Sequence, residues 1–132
     1  MIDERGIIQE MCEIGRRVYE RGMVAANDGN FSVKLSENEF LCTPTGVSKG
    51  FMAPESICRI DADGRLLEAN GSFRPSSEMK MHLRVYKERP DVQAVVHAHP
   101  PYATTFAAAE IPLDKPVLSE AVLTLGKVPV AR

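Results

Sequence analysis

The stretch Ala94–Ala107, "AVVHAHPPYATTFA", sets two of the chain's three histidines one residue apart in an apolar run, then halts the run with Pro100-Pro101. Its upstream part, "VQAVVHAH" (Val92–His99), is short, rich in β-branched residues and preceded by Pro90-Asp91. That is the profile of a buried strand between breakers. Proline has no N–H to donate to a sheet ladder, so the strand is predicted to end there. Side chains alternate along a strand, which puts His97 and His99 on one face and Ala98 on the other. Two imidazoles at a strand's carboxyl end can share one cation, and Zn²⁺ lies about 2.0–2.1 Å from such nitrogens. Two core-edge histidines bonded to backbone are the plainer alternative; the HxH spacing favours metal.

Outward from this strand, the chain reads as alternating short elements. Ile7, Met11, Ile14 and Val18 recur at helical spacing, predicting an amphipathic helix over residues 3–22 that stops at Gly22. "FSVKL" (Phe31–Leu35) and "EFLCT" (Glu39–Thr43) read as strands joined by the turn Ser36-Glu37-Asn38. "SICRID" and "RLLEA" read as a second hairpin turned at Asp63-Gly64. Ser77–Lys87 is expected to be helical, as is Tyr102–Ala109, while "PVLSEAVLTLGKVPVA" fits a strand or a helix equally. Hairpins, then a helix, then a further strand imply helices packed around a mostly antiparallel sheet.

Composition narrows the function. A chain of 132 residues is expected to form one domain and to bury about two-thirds of its unfolded surface. The net charge is −2 with both signs interspersed, which offers no electrostatic footprint for nucleic acid or an anionic membrane. Neither a secretion signal nor a membrane span is visible. Cys12, Cys42 and Cys58 are odd in number and form no CxxC, which suits buried thiols in a reducing cytoplasm.

Three polar turns share one chemistry. Asn27-Asp28-Gly29-Asn30 precedes a strand, Thr45-Gly46 sets a hydroxyl beside a glycine, and Ser76-Ser77 stands at the expected start of a helix. Glycine turns and helix starts expose N–H groups, and hydroxyls beside them suit an anion. Each turn alone is explained by chain reversal or capping; convergence of all three on one phosphate is the sharper reading. Glu78 follows. It either favours the helix dipole or acts as a carboxylate moving a proton beside a metal. His82 shares its helical face and is read as a helix-surface histidine rather than a ligand.

Together, "GMVAANDGNFSVK", "LCTPTG", "RPSSEMKMH" and "AVVHAHPPYATTFA" resemble, in order and spacing, the class II aldolase/adducin family, nearest its L-fuculose-1-phosphate aldolase branch. The resemblance runs from about Ile7 to the end of the chain. It implies an α/β fold of α+β type, an αβα sandwich around a mixed, largely antiparallel central sheet. It also implies a cytoplasmic homo-oligomer, a tetramer in the family. By the same likeness His97 and His99 match two zinc ligands, and Glu78 matches the catalytic acid/base that also touches the Zn²⁺. Gly29, Asn30, Thr45, Gly46, Ser76 and Ser77 match positions holding the substrate phosphate. The reaction so implied is reversible cleavage of a ketose 1-phosphate to dihydroxyacetone phosphate and an aldehyde such as lactaldehyde.

Two departures qualify the likeness. The family's third zinc histidine lies downstream and has no counterpart within residues 1–132, so the chain is expected to be the N-terminal part of the family domain. Weak zinc binding and impaired catalysis are expected to follow. A tyrosine used by the fuculose-phosphate enzymes is missing near "DKPVLSEAVL", which leaves the aldehyde open. Pentulose-5-phosphate 4-epimerases resemble the chain less, reading "SSD" and "HTH" where this sequence has Ser76-Ser77-Glu78 and His97-Ala98-His99. A methylthio-pentulose-phosphate dehydratase and a metal-free, adducin-like binding scaffold are the remaining alternatives.

Overall fold

Alternation along "NFSVK" organises the first part of the fold. In β1 (Asn30–Lys34), Asn30, Ser32 and Lys34 share one face, and Phe31 and Val33 share the other. The computed structural model, which describes residues 3–131, sets β1 in a five-stranded sheet of order β4-β3-β2-β1-β5. The other strands are β2 (Glu39–Cys42), β3 (Cys58–Asp61), β4 (Leu66–Glu68) and β5 (Ala94–His97). All four pairings are antiparallel, in keeping with the largely antiparallel sheet expected. The registers Ser32↔Cys42 and Cys42↔Cys58 extend each face across three strands.

Each face is covered by a helix. Phe31 and Leu41 on one face pack with Met11 of α1 (Glu4–Glu20) and Ile57. Phe40, Cys42, Cys58 and Ile60 on the other pack with Met79 and Tyr86 of α2 (Met79–Glu88). Burying a side chain such as Phe31 or Ile60 contributes about 1.5–3 kcal/mol, so the two clusters hold the αβα layering. Asp3 caps α1 by accepting from the Gly6 N–H at 3.0 Å, and Arg59 of β3 ties the sheet to Glu4 of that helix. Gly15 leaves α1 room for a close approach: a Cβ there would stand 2.4 Å from the Lys49 carbonyl oxygen. All three cysteines are free.

The described residues divide into two compact units, one running to Ala98 and one beginning at His99. The second unit holds α3 (Pro101–Ala108), α4 (Ser119–Thr124) and a single bridge between Leu113 and Val128. The ambiguous stretch Pro116–Ala131 is thus helical at its centre. Within this unit an apolar cavity of about 380 Å³ is lined by Phe106, Leu118, Val122 and Leu125, among others. No helix among the described residues is long and apolar enough to cross a membrane.

The strand that opened the reading differs from expectation in two respects. Among the described residues β5 lies at the sheet edge, paired with β1, and its Ala94 and Val96 are exposed rather than buried. It also ends at His97, so alternation fixes His97 on the α2 face and does not extend to His99.

Candidate active site

Cross-strand register builds the centre of the site. Asn30 and His97 are direct partners on β1 and β5, so their side chains leave the sheet on the same face, the one covered by α2. Glu78, the residue before α2, completes the group: its Oε2 lies 3.2 Å from His97 Nδ1 and accepts from the Asn30 amide Nδ2. Glu78 acts as the N-cap of α2 rather than standing in its first turn, and its side chain makes no capping bond. His97 is three-quarters buried, while half of the Glu78 side chain faces solvent.

Beneath this pair lies a buried polar chain. His82 is fully buried, correcting its assignment to the helix surface. Its Nε2 lies 2.6 Å from Asn30 Oδ1, and its Nδ1 lies 2.7 Å from the Ser32 hydroxyl. Ser32 Oγ is in turn 2.8 Å from the Tyr86 hydroxyl, which donates to the Ser32 carbonyl at 2.9 Å. Burial pulls the His82 pKa down to about 4, helped by the neighbouring His97 and opposed by Glu78. The ring is therefore neutral at pH 7. Burial likewise pushes the Tyr86 phenol up. The signal for His82 was present in the sequence: Met79, His82 and Tyr86 fall at i, i+3 and i+7, the inward stripe of α2.

The three polar turns lie against one another. The Thr43 N–H donates to the Phe31 carbonyl at 3.0 Å, joining the end of the first turn to the start of the second. The Thr45 N–H donates to Arg74 O at 2.9 Å and the Ser76 N–H to Thr43 O at 3.1 Å, which brings Thr45-Gly46 beside Ser76-Ser77. Gly29 and Gly46 adopt φ of 73° and 74°, the left-handed region that glycine enters without strain. At Gly29 a Cβ would stand 2.7 Å from the His97 carbonyl oxygen; at Gly46 it would meet nothing. Thr45, Gly46 and Ser77 are exposed, whereas Gly29 and Asn30 are buried. The helix start offers fewer open donors than expected, because the N–H groups of Glu78 and Met79 turn back on Ser76 at 3.4 and 3.3 Å.

A buried cation links two of these turns. Lys49 is 1% exposed, and its ammonium donates to Val47 O at 2.7 Å and to Asn27 O at 3.4 Å. Desolvation lowers its pKa, and the nearby Asp28 works against that shift. Lys49 is absent from the sequence-derived site because a lysine after a turn reads as solvent-facing.

His99 is exposed and is the first residue of the second unit. Among the described residues no group of three His, Cys, Asp or Glu side chains is gathered so as to hold a metal ion. His97 and Glu78 are the two candidate donors placed together in the first unit.

Comparison with known proteins adds a family and a chemistry. Residues 9–132 match the profile of the class II aldolase and adducin N-terminal domain. The chain is 36% identical over 121 residues to an L-fuculose phosphate aldolase of Methanococcus maripaludis, covering 92% of this chain and 64% of that protein. It is 40% identical over 100 residues to a 3-oxo-tetronate 4-phosphate decarboxylase of Haemophilus influenzae, covering 76% and 46%. The crystal structure of L-fuculose-1-phosphate aldolase from Thermus thermophilus superimposes with a TM-score of 0.79 at 30% identity, covering 95% and 62%. The chain thus spans roughly half to two-thirds of these proteins' lengths. Decarboxylation is a chemistry that the motifs alone did not raise.

Proposed function

This chain belongs to the class II aldolase and adducin family, and from that premise we propose that it is sequence from a sugar-phosphate lyase in which Glu78 moves a proton at the carbon beside a ketone. The observation that carries the reading is the Glu78–His97 contact at 3.2 Å, set at the sheet end where the three polar turns gather. The reaction is the reversible cleavage of a ketose 1-phosphate resembling L-fuculose 1-phosphate to dihydroxyacetone phosphate and an aldehyde.

The roles divide between proton and phosphate. Thr45, Gly46, Ser76 and Ser77, with the Gly29-Asn30 turn, hold the phosphate and fix the substrate's orientation, so that the reacting carbon is presented to Glu78. Glu78, half exposed and held through Oε2, accepts or returns the proton at that carbon. His97 and Glu78 are the donors the first unit offers a divalent ion. Such an ion, when bound, supplies Lewis-acid stabilisation of enediolate charge. Imidazole nitrogen and carboxylate oxygen suit Zn²⁺ in kind.

The Haemophilus relative favours a second reading with the same intermediate. Loss of CO₂ from a 3-oxo-tetronate 4-phosphate leaves the enediolate of dihydroxyacetone phosphate, and Glu78 would protonate it as in the cleavage direction. The free thiols and the absence of a membrane-crossing helix among the described residues accord with a cytoplasmic home. We also propose homo-oligomeric assembly, which size-exclusion chromatography tests.

The deciding experiment is product NMR with zinc present, using L-fuculose 1-phosphate, ribulose 5-phosphate and 3-oxo-tetronate 4-phosphate in turn. Lactaldehyde supports the aldolase, an epimer the 4-epimerase, and CO₂ with dihydroxyacetone phosphate the decarboxylase. Turnover unchanged in Glu78→Gln would sink the assignment of Glu78.

A further inference from the structure

The polarity of the buried chain follows from the carboxylate at its end. An ionised Glu78 only accepts, so Asn30 turns its NH₂ towards Oε2 and its carbonyl oxygen towards His82. His82 must then carry its hydrogen on Nε2, and Nδ1 of the neutral ring accepts from the Ser32 hydroxyl. The Tyr86 hydroxyl, within 2.8–2.9 Å of the Ser32 hydroxyl and carbonyl oxygens, anchors the far end. Each donor points the same way, from the core towards the carboxylate. All four supporting side chains are at least 96% buried, so each rotamer is fixed by packing as well as by its bonds.

We propose that His82 is a positioning residue for Glu78: its Nε2–H grips the Asn30 carbonyl oxygen, and the Asn30 amide thereby holds Glu78 Oε2 against His97. The proposal rests on the reading of Glu78 as the proton carrier. It assigns His82 neither a metal nor a substrate, because both ring nitrogens already have partners. A hydrophobic residue of similar size would fill the space under the sheet yet leave the Asn30 amide free to rotate. Glutamine, whose side-chain N–H reaches about as far as Nε2, would keep the grip.

Two measurements on the 132-residue chain test this. In the ¹⁵N-labelled protein at pH 7, the His82 ring should show the Nε2–H tautomer. The Asn30 side-chain NH₂ should be protected from solvent exchange, with protection lost in His82→Leu and retained in His82→Gln. An Nδ1–H tautomer, or an unchanged Asn30 amide in the leucine variant, would overturn the proposal. The second measurement follows deuterium exchange at the carbon α to the ketone of dihydroxyacetone phosphate, with zinc present. His82→Leu should lower kcat about ten- to a hundredfold with KM nearly unchanged, and His82→Gln should restore most of it. A leucine variant with wild-type kcat would also overturn it. Absence of exchange in the wild type would count against Glu78 as the proton carrier in this chain, and the tautomer and amide readouts would then decide the positioning role alone. If His82→Leu does not fold, the tautomer in the wild type and the amide protection in His82→Gln decide.

Discussion

Acid should destabilise this protein through His82 before most carboxylates are protonated. The ring titrates near 6.5 in an unfolded chain and is held at about 4 in the folded one, chiefly by burial. Above pH 6.5 both states are neutral and the contribution is fully present. As pH falls below 6.5 the unfolded chain takes up a proton that the folded chain refuses, so stability declines until about pH 4, where the folded ring titrates too. A shift of this size corresponds to about 3 kcal/mol in total, a large share of a typical domain's 5–15 kcal/mol. Between pH 7.5 and pH 4.5 roughly 2–3 kcal/mol of it should disappear. The chain has no tryptophan, so urea unfolding is best followed by far-UV circular dichroism. Carboxylates titrate over part of the same range, and the comparison with His82→Gln, which has no proton to gain, removes their common contribution. Wild type should lose about 2–3 kcal/mol more than the variant across that interval. Equal losses, or an NMR titration placing His82 near 6.5, would refute the reasoning.

Three further outcomes are expected. Gly29→Ala should destabilise by about 3 kcal/mol or more, combining the cost of a left-handed alanine with a clash on the His97 carbonyl. Gly46→Ala meets open space and should lose only about 1–2 kcal/mol; equal effects in urea melts would count against the close approach of the first turn to β5. Lys49→Met should cost about 1.5–3 kcal/mol, since charge-assisted bonds to Val47 and Asn27 vanish; an unchanged melting temperature would contradict it. Calorimetric titration with Zn²⁺ should give weak binding that His97→Ala abolishes, and tight one-to-one binding would show that the donor set is more complete than His97 and Glu78 alone.

Periodicity made most of the architecture legible. The apolar spacing of Ile7, Met11 and Val18 defines α1, and the alternation in "FSVKL" and "EFLCT" marks β1 and β2 to within a residue or so. "AVVHAH" reads as one continuous strand, whereas β5 closes at His97 among the described residues. Of the candidate site, the residues of the four motifs could be named, and Glu78 and His97 do meet. The buried supports are harder to read. His82 and Lys49 are polar residue types usually assigned to the surface, and each lies inside because its partners come from distant segments: Asn30 and Ser32 for the ring, Asn27 for the ammonium. Such partners are fixed by sheet register and turn placement, which local spacing does not encode.

The bare backbone at Gly15 gives α1 an influence over a region it does not line. With no side chain between them, helix and Lys49 carbonyl sit nearly in contact, and that same lysine braces two of the polar turns. Bulk introduced at this one helical turn would push the brace from behind, altering the spacing of the polar turns while every residue that meets solvent there stayed the same. Random mutagenesis selected for altered ligand preference should therefore recover substitutions around Gly15, on the side of the sheet opposite Glu78.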